Sequence, residues 1–145
     1  MGQISSEIIG DDETPFGLGA IDFGRNDLVK ISSMNGAFCA LFATGDVKCW
    51  GNSDGYGTIG TGSTQTFPTV SQYPYVNLGK PAKDLFSKSY IACVLFDDGN
   101  GRCWGKNTDG QLGLSHTNHI GDNEFPSSTI EIDFNEKIVS FLLND

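Results

Sequence analysis

Residues 39–51 read CALFATGDVKCWG, and residues 93–105 read CVLFDDGNGRCWG, the same pattern 54 positions later with both cysteines, the turn glycine and the Trp-Gly pair in place. A pattern copied at such a period marks a repeat architecture, in which one supersecondary unit buries its faces against its neighbours. Three more series return in the same order. The first is GQI at 2–4, GTIG at 57–60 and GQLG at 110–113. The second is IGDDETP at 9–15, GSTQTFP at 62–68 and IGDNEFP at 120–126, the outer two copies each followed by IDF, at 21–23 and 132–134. The third is an alternating segment: Val29 and Ile31, Lys83 and Leu85, Val139 and Phe141. The landmarks divide the chain into 2–56, 57–109 and 110–145, the last unit stopping short of its cysteine hairpin.

The hairpin can be derived residue by residue. In FATGD the glycine stands where a type I turn followed by a left-handed residue requires it, so Phe42 faces Asp46 across a three-residue connection. Counting back, Leu41 faces Val47 and Cys39 faces Cys49; in the second copy Phe96 faces Asn100 and Cys93 faces Cys103. Each cysteine pair falls at a non-hydrogen-bonded position of the ladder, where Cα atoms approach to about 4.5 Å, within the reach of a disulfide. Closing such a loop would stabilise by roughly 2.5–3 kcal/mol on the chain-entropy estimate. The alternative is that Cys39, Cys49, Cys93 and Cys103 stay reduced as small apolar residues between sheets, as a cytosolic compartment would impose. Zinc is disfavoured, because the two members of a pair stand too far apart in sequence for the short knuckles zinc sites use.

Alternation puts Cys39, Leu41, Val47 and Cys49 on one face and Phe42 and Trp50 on the other. Both faces are apolar, so the hairpin is expected to be covered on two sides. In the second copy Gly101 replaces Val47, which predicts a less filled, looser unit. Trp50, Gly51, Trp104 and Gly105 are candidate landmarks of the blade core.

No segment carries apolar residues at helical spacing over a useful length, whereas several runs alternate between Gly, Pro, Asn or Asp boundaries. Nineteen glycines, 38% hydrophobic and 19% charged residues suit many short strands joined by turns. Four short strands per unit of this period is the arithmetic of a propeller blade. The expectation for 1–145 is therefore all-β: a single incomplete β-propeller domain of four-stranded antiparallel blades, with almost no helix. The net charge of −9 and the scattered Lys and Arg residues argue against nucleic acid and acidic membrane surfaces as partners. The N-terminal residues lack the pattern of a secretory signal, and no apolar run is long enough to span a bilayer. Gly2 and Ser6 satisfy the loose myristoylation pattern, but Gly2 and Gln3 are better read as a repeat landmark.

The series C-x-L-F-x-x-G-x-x-[KR]-C-W-G, N-x-D-G, G-Q-L-G and G-D-x-x-x-P resembles the repeat of the regulator of chromosome condensation family. CWGKNTDGQLGL at 103–114 fits closely; CWGNSDGYGTIG at 49–60 departs by one inserted residue and by Thr58 for the usual glutamine. The resemblance implies a seven-bladed propeller of four-stranded blades, of which this chain holds under three repeats. A fragment of a longer protein, or copies that associate to complete a ring, would account for that. The apolar strand IVSFLL at 138–143 would be an aggregation site if left as an open edge, so missing blades or self-association should cover it.

Several motifs imitate active sites. GNSDG at 51–55 satisfies the nucleophile-elbow pattern with Ser53 at its centre, and GYGTIG satisfies the dinucleotide pattern through Gly55, Gly57 and Gly60. Both chemistries demand a helix directly afterwards, to strain the serine turn or to aim a dipole at phosphate, and turn and strand follow instead. The repeat matches Ser53 with Thr108 and gives the glycines a structural role. His116, His119, Asp122 and Glu124 lie close in sequence but have no helical support to fix a metal geometry. The NSDG, NTDG and DDGN loops resemble calcium loops, yet turn chemistry already explains them.

The expected function is accordingly a non-catalytic protein-interaction module, whose blade-end loops present Asp, Asn, Tyr and His to a protein partner, without a cofactor. The alternative that the resemblance implies is guanine-nucleotide exchange on a small GTPase. Hydrolysis through Ser53 is a second alternative. Paired cysteines lean towards an oxidising compartment if the chain is part of a longer protein.

Overall fold

A computed structural model describes residues 19–133. The landmarks at 2–4 and 9–15, the Gly2 and Ser6 pattern and the strand at 138–143 lie outside the described residues.

Among the described residues seven strands follow one another: β1 (Leu28–Ser33), β2 (Ala37–Phe42), β3 (Val47–Gly51), β4 (Asp84–Lys88), β5 (Ile91–Leu95), β6 (Asn100–Gly105) and β7 (Ile132–Asp133). The helical content among the described residues is two single 3₁₀ turns, Val70–Gln72 and Pro126–Ser128. The strands form two antiparallel sheets, β1-β2-β3 and β4-β5-β6-β7, and each is one blade. The first sheet departs from the expected four strands. Its fourth position is reduced to a bridge between Lys48 and Tyr75, with Val76 N–H donating to Val47 O at 2.8 Å. Pro74 directly precedes the bridge and has no N–H to offer a ladder, so the pairing cannot extend backwards.

The hairpin turns form as their chemistry requires. Gly45 and Gly99 sit at φ +83° and +86°, the left-handed region that glycine enters without steric cost. Phe42 N–H donates to Asp46 O and Gly45 N–H to Phe42 O; Phe96 and Gly99 repeat both bonds with Asn100 and Phe96. The resulting register sets Cys39 opposite Cys49 and Cys93 opposite Cys103. Sulfur atoms lie 2.01 and 2.11 Å apart, and the Cα atoms 4.0 and 4.1 Å, so both pairs are disulfides.

The first hairpin buries apolar side chains on both faces: Cys39, Leu41, Val47 and Cys49 on one, Ala40, Phe42 and Trp50 on the other, with Phe38 half-buried beside Trp50. Burying a side chain of this kind contributes about 1.5–3 kcal/mol, so a strand covered on two sides gathers twice the stabilisation of one facing water. In the second hairpin Gly101 pairs with half-buried Ile132 of β7, so the added strand stands beside the position that Val47 fills in the first copy.

Between the blades, Lys30 Nζ meets Asp84 Oδ1 at 2.8 Å, and Ser87 Oγ bonds Ser32 Oγ at 2.7 Å and Ser33 O at 3.0 Å. Ser32 pairs with Cys39 across its ladder, and Ser87 with Ala92, so the cysteine face of the first blade packs on the tryptophan face of the second. Leu85, in the middle of this joint, is completely buried. The basic position shared by the two hairpins, Lys48 and Arg102, also has a structural task. Lys48 donates to Ser71 O at 3.0 Å and Arg102 to Pro126 O at 2.8 Å, each buried cation tying one 3₁₀ turn to its sheet.

Candidate functional site

Strand direction gathers particular loops at one end of the pair of blades. β1 and β4 run towards the turns at 34–36 and 89–90, and β3 and β6 end beside those turns, with Ala37 opposite Gly51 and Ile91 opposite Gly105. The loops leaving Gly51 and Gly105 therefore start at the same end. Asn52 N–H donates to Gly36 O at 2.8 Å and Lys106 N–H to Tyr90 O at 2.9 Å, made possible by Gly51 and Gly105 at φ +115° and +107°. A Cβ at Gly51 would stand 2.5 Å from Gly36 O, which explains why both copies carry glycine after tryptophan.

These bonds also correct the alignment of the repeats. Asn52 is the counterpart of Lys106, so Ser53 corresponds to Asn107, one residue away from the Thr108 matched by sequence. The inserted residue then falls between Asp54 and Thr58.

At this end the two blades bring three rings together. Tyr56, from the first blade's loop, meets Tyr90 edge-on with centroids 5.4 Å apart and His119 edge-on at 5.1 Å, and Lys106 Nζ stands 5.5 Å over the Tyr56 ring. All four side chains are half-buried. The completely buried Asn107 holds the second loop: its Nδ2 donates to His116 O at 2.7 Å and to Asn118 O at 2.9 Å, and its Oδ1 accepts from Leu112 N–H at 2.9 Å. Its own N–H donates to His119 Nδ1 at 3.0 Å, which fixes the imidazole orientation and places the proton of the neutral ring on Nε2. Beyond His119 a polar cleft of about 550 Å³ opens between Thr108, Asp122 and Glu124. Burial, then the neighbouring Asp122 charge, pushes the Glu124 carboxyl above its ordinary range.

The residues that imitate catalysts are engaged in structure. Ser53 Oγ donates to Thr64 O at 2.6 Å, and bends and turns, not a helix, follow it. Gly57 and Gly60 face the second blade: a Cβ at Gly57 would stand 2.5 Å from Asp122 N, and one at Gly60 would stand 2.6 Å from Trp104 Nε1. Trp104 Nε1 donates to Thr58 O at 3.1 Å, so this glycine loop is the seat of the next blade's indole rather than a cradle for pyrophosphate. Among the described residues no group of three or more His, Cys, Asp or Glu side chains is placed to hold a metal ion. Asp54 Oδ1 accepts from Tyr56 N–H and Thr58 Oγ1, and Asp98 Oδ1 from Asn100 N–H, the local bonds expected of turn carboxylates. No helix among the described residues is long and apolar enough to cross a membrane.

The opposite end carries a device the sequence reading missed. Arg25 lies 4.4 Å over the Phe42 ring, bonded to Asp27, Asp46 and Thr44, and 55 residues on Lys80 lies 4.5 Å over Phe96, bonded to Asp98 and Glu131. The recurrence of a cation before each hairpin was the available signal.

Residues 82–111 match the family described as the Regulator of chromosome condensation (RCC1) repeat. No curated protein matches the sequence significantly. Among solved structures the chain is similar to Prp20p from Saccharomyces cerevisiae, with 14% identity and a TM-score of 0.53 over 68% of this chain and 25% of that one. It is similar to human WBSCR16 at 19% identity and 0.54, over 68% and 25%. The likeness to yeast RCC1 (Prp20) bound to Kap60 is 15% and 0.51, over 66% and 24%. The chain thus spans about a quarter of the length of these structures. Hairpin register, indole seat and the match at 82–111 agree: the chain is similar to the regulator of chromosome condensation repeat there, and its two sheets fold as adjoining blades of a partial β-propeller.

Proposed function

We propose that the chain is a non-catalytic protein-interaction module that presents the Tyr56, Tyr90 and His119 end to a protein partner. The observation that carries this reading is the ring cluster itself, assembled from both blades and half-exposed at one end. Tyrosines combine large contact area with a polar tip and few rotatable bonds, and are enriched where proteins bind proteins. Asn107 and the blade joint hold these rings in place before any partner arrives, which lowers the ordering cost of binding. The engagement of Ser53 and of the glycine loop in structural bonds supports a role without catalysis. The similar yeast protein Prp20p is described as binding Gsp1p and histones, which supports a binding role for blades of this type.

The test compares proteins retained by the wild-type chain with those retained by a Tyr56→Ala/Tyr90→Ala variant of equal fold by circular dichroism. A protein held by the first and lost from the second is the expected result; identical sets, or none, would sink the reading. Small GTPases loaded with fluorescent nucleotide serve as the second arm. Accelerated release would replace this reading with nucleotide exchange. Labelling by a serine-directed phosphonate that disappears in Ser53→Ala would restore hydrolysis.

A further inference from the structure

Asparagine followed by glycine occurs twice in the chain, at Asn35–Gly36 and at Asn100–Gly101, and the fold treats the two pairs oppositely. The reaction open to such a pair is internal. The glycine amide nitrogen attacks Cγ of the asparagine, and glycine has no Cβ to hinder the approach. The peptide between the two residues must turn until nitrogen and Cγ meet, so any bond that holds that peptide opposes the attack. Asn100–Gly101 is held firmly. Asn100 O accepts from Phe96 N–H at 2.8 Å, Asn100 Nδ2 donates to Glu131 Oε2 at 3.2 Å, and Gly101 is buried in the sheet between Leu95 and Ile132.

Asn35–Gly36 lies in the turn between β1 and β2, and both residues are exposed. The flanks of this turn are pinned: Met34 N–H donates to Ala37 O at 2.8 Å, Asn35 N–H to Ser89 O at 2.7 Å, and Asn52 N–H to Gly36 O at 2.8 Å. The peptide in between is not. Among the described residues neither Asn35 O, nor Gly36 N–H, nor the Asn35 side chain has a hydrogen-bond partner. A fixed frame thus surrounds one loose peptide, which is the arrangement the attack requires.

We propose that Asn35 is a site of spontaneous backbone modification, selected by the fold. Gly36 N bonds to Asn35 Cγ, the Cγ–Nδ2 bond breaks, and ammonia leaves with the proton given up by Gly36 N. Water then opens the cyclic imide at either carbonyl, leaving aspartate or, with its β-carbon in the main chain, isoaspartate. The product adds a carboxylate to a chain of net charge −9. Isoaspartate also lengthens the turn that bonds Ser89, the residue before Tyr90. The reaction is independent of what that end of the blades binds.

Ageing the native protein in mildly alkaline buffer, then digesting it for mass spectrometry, tests the proposal. Asn35 should convert to a mixture of aspartyl and isoaspartyl forms about tenfold or more faster than Asn100, whose peptide reacts only after its sheet opens locally. In concentrated urea with the disulfides reduced, the two rates should converge. An intact Asn35, or equal native rates at the two sites, would overturn the proposal. So would a difference that persists unchanged in urea, since neighbouring sequence and not the fold would then set it. Asn35→Gln, whose imide ring is larger and slower to close, should abolish the new species; their persistence in that variant would refute Asn35 as the source.

Discussion

A cation lying flat on a phenylalanine, with carboxylates at its edge, closes each hairpin at the end away from the tyrosines. Lys80 holds the Asp98 and Glu131 carboxyls below their ordinary range, and they in turn raise its ammonium. Carboxyls held low stabilise the fold above their unfolded values and lose that contribution as pH falls through the folded ones. The raised ammonium acts oppositely, contributing fully below its unfolded value and losing it as pH climbs through the folded one. Lys80→Met, which keeps the stem over Phe96, should therefore lower the urea midpoint at neutral pH, and the gap to wild type should close in acid. A gap that persists below the carboxyl range would show that packing, not charge, was lost. The cysteines belong to the same scale. Cys93→Ala/Cys103→Ala should cost roughly 2.5–3 kcal/mol in urea unfolding, and unreduced, denatured wild type should show no reactive thiol. Four reactive thiols would refute both bridges.

Among the elements, the hairpins were the most legible in sequence, because a glycine in the left-handed position fixes their register within a few residues. The loops were partly legible: Gly51 and Gly105 repeated, but the match of Ser53 to Thr108 slipped by one, since an insertion moved the landmark past its structural counterpart. Asn107 resembled an ordinary turn residue, and only its burial and five hydrogen bonds reveal that it organises the loop. The blade joint was the least legible, because Lys30 and Asp84 differ in charge although they are repeat counterparts, so self-alignment hid the pair they make. The seat of the indole yields a prediction at this scale. Gly60→Ala must place a Cβ 2.6 Å from Trp104 Nε1 at φ +72°, whereas Gly113→Ala meets open space at φ +69°. The first should cost about 2–4 kcal/mol in chemical unfolding, the sum of overpacking and backbone strain, and the second about 1 kcal/mol. Equal losses would mean that the seat carries no packing load.

For the molecule as a whole, composition and the repeat already implied an all-β partial propeller. What they could not supply was which ends of the blades face together, because that follows from strand direction in three dimensions. The result is a two-ended body, with rings of tyrosine and histidine at one end and cation-capped turns at the other. The indole seat also has a consequence for synthesis. Trp104 donates to a carbonyl 46 residues upstream, so the loop at 57–60 leaves the ribosome well before the side chain that fills it. At about 5–20 residues per second that interval is roughly 2–9 s, far longer than hairpin closure in microseconds. The first blade can thus form its hairpin at once, but its glycine loop waits for the second blade to be made. Translation speed between residues 60 and 104 sets how long the half-built pair stays exposed to proteases and chaperones.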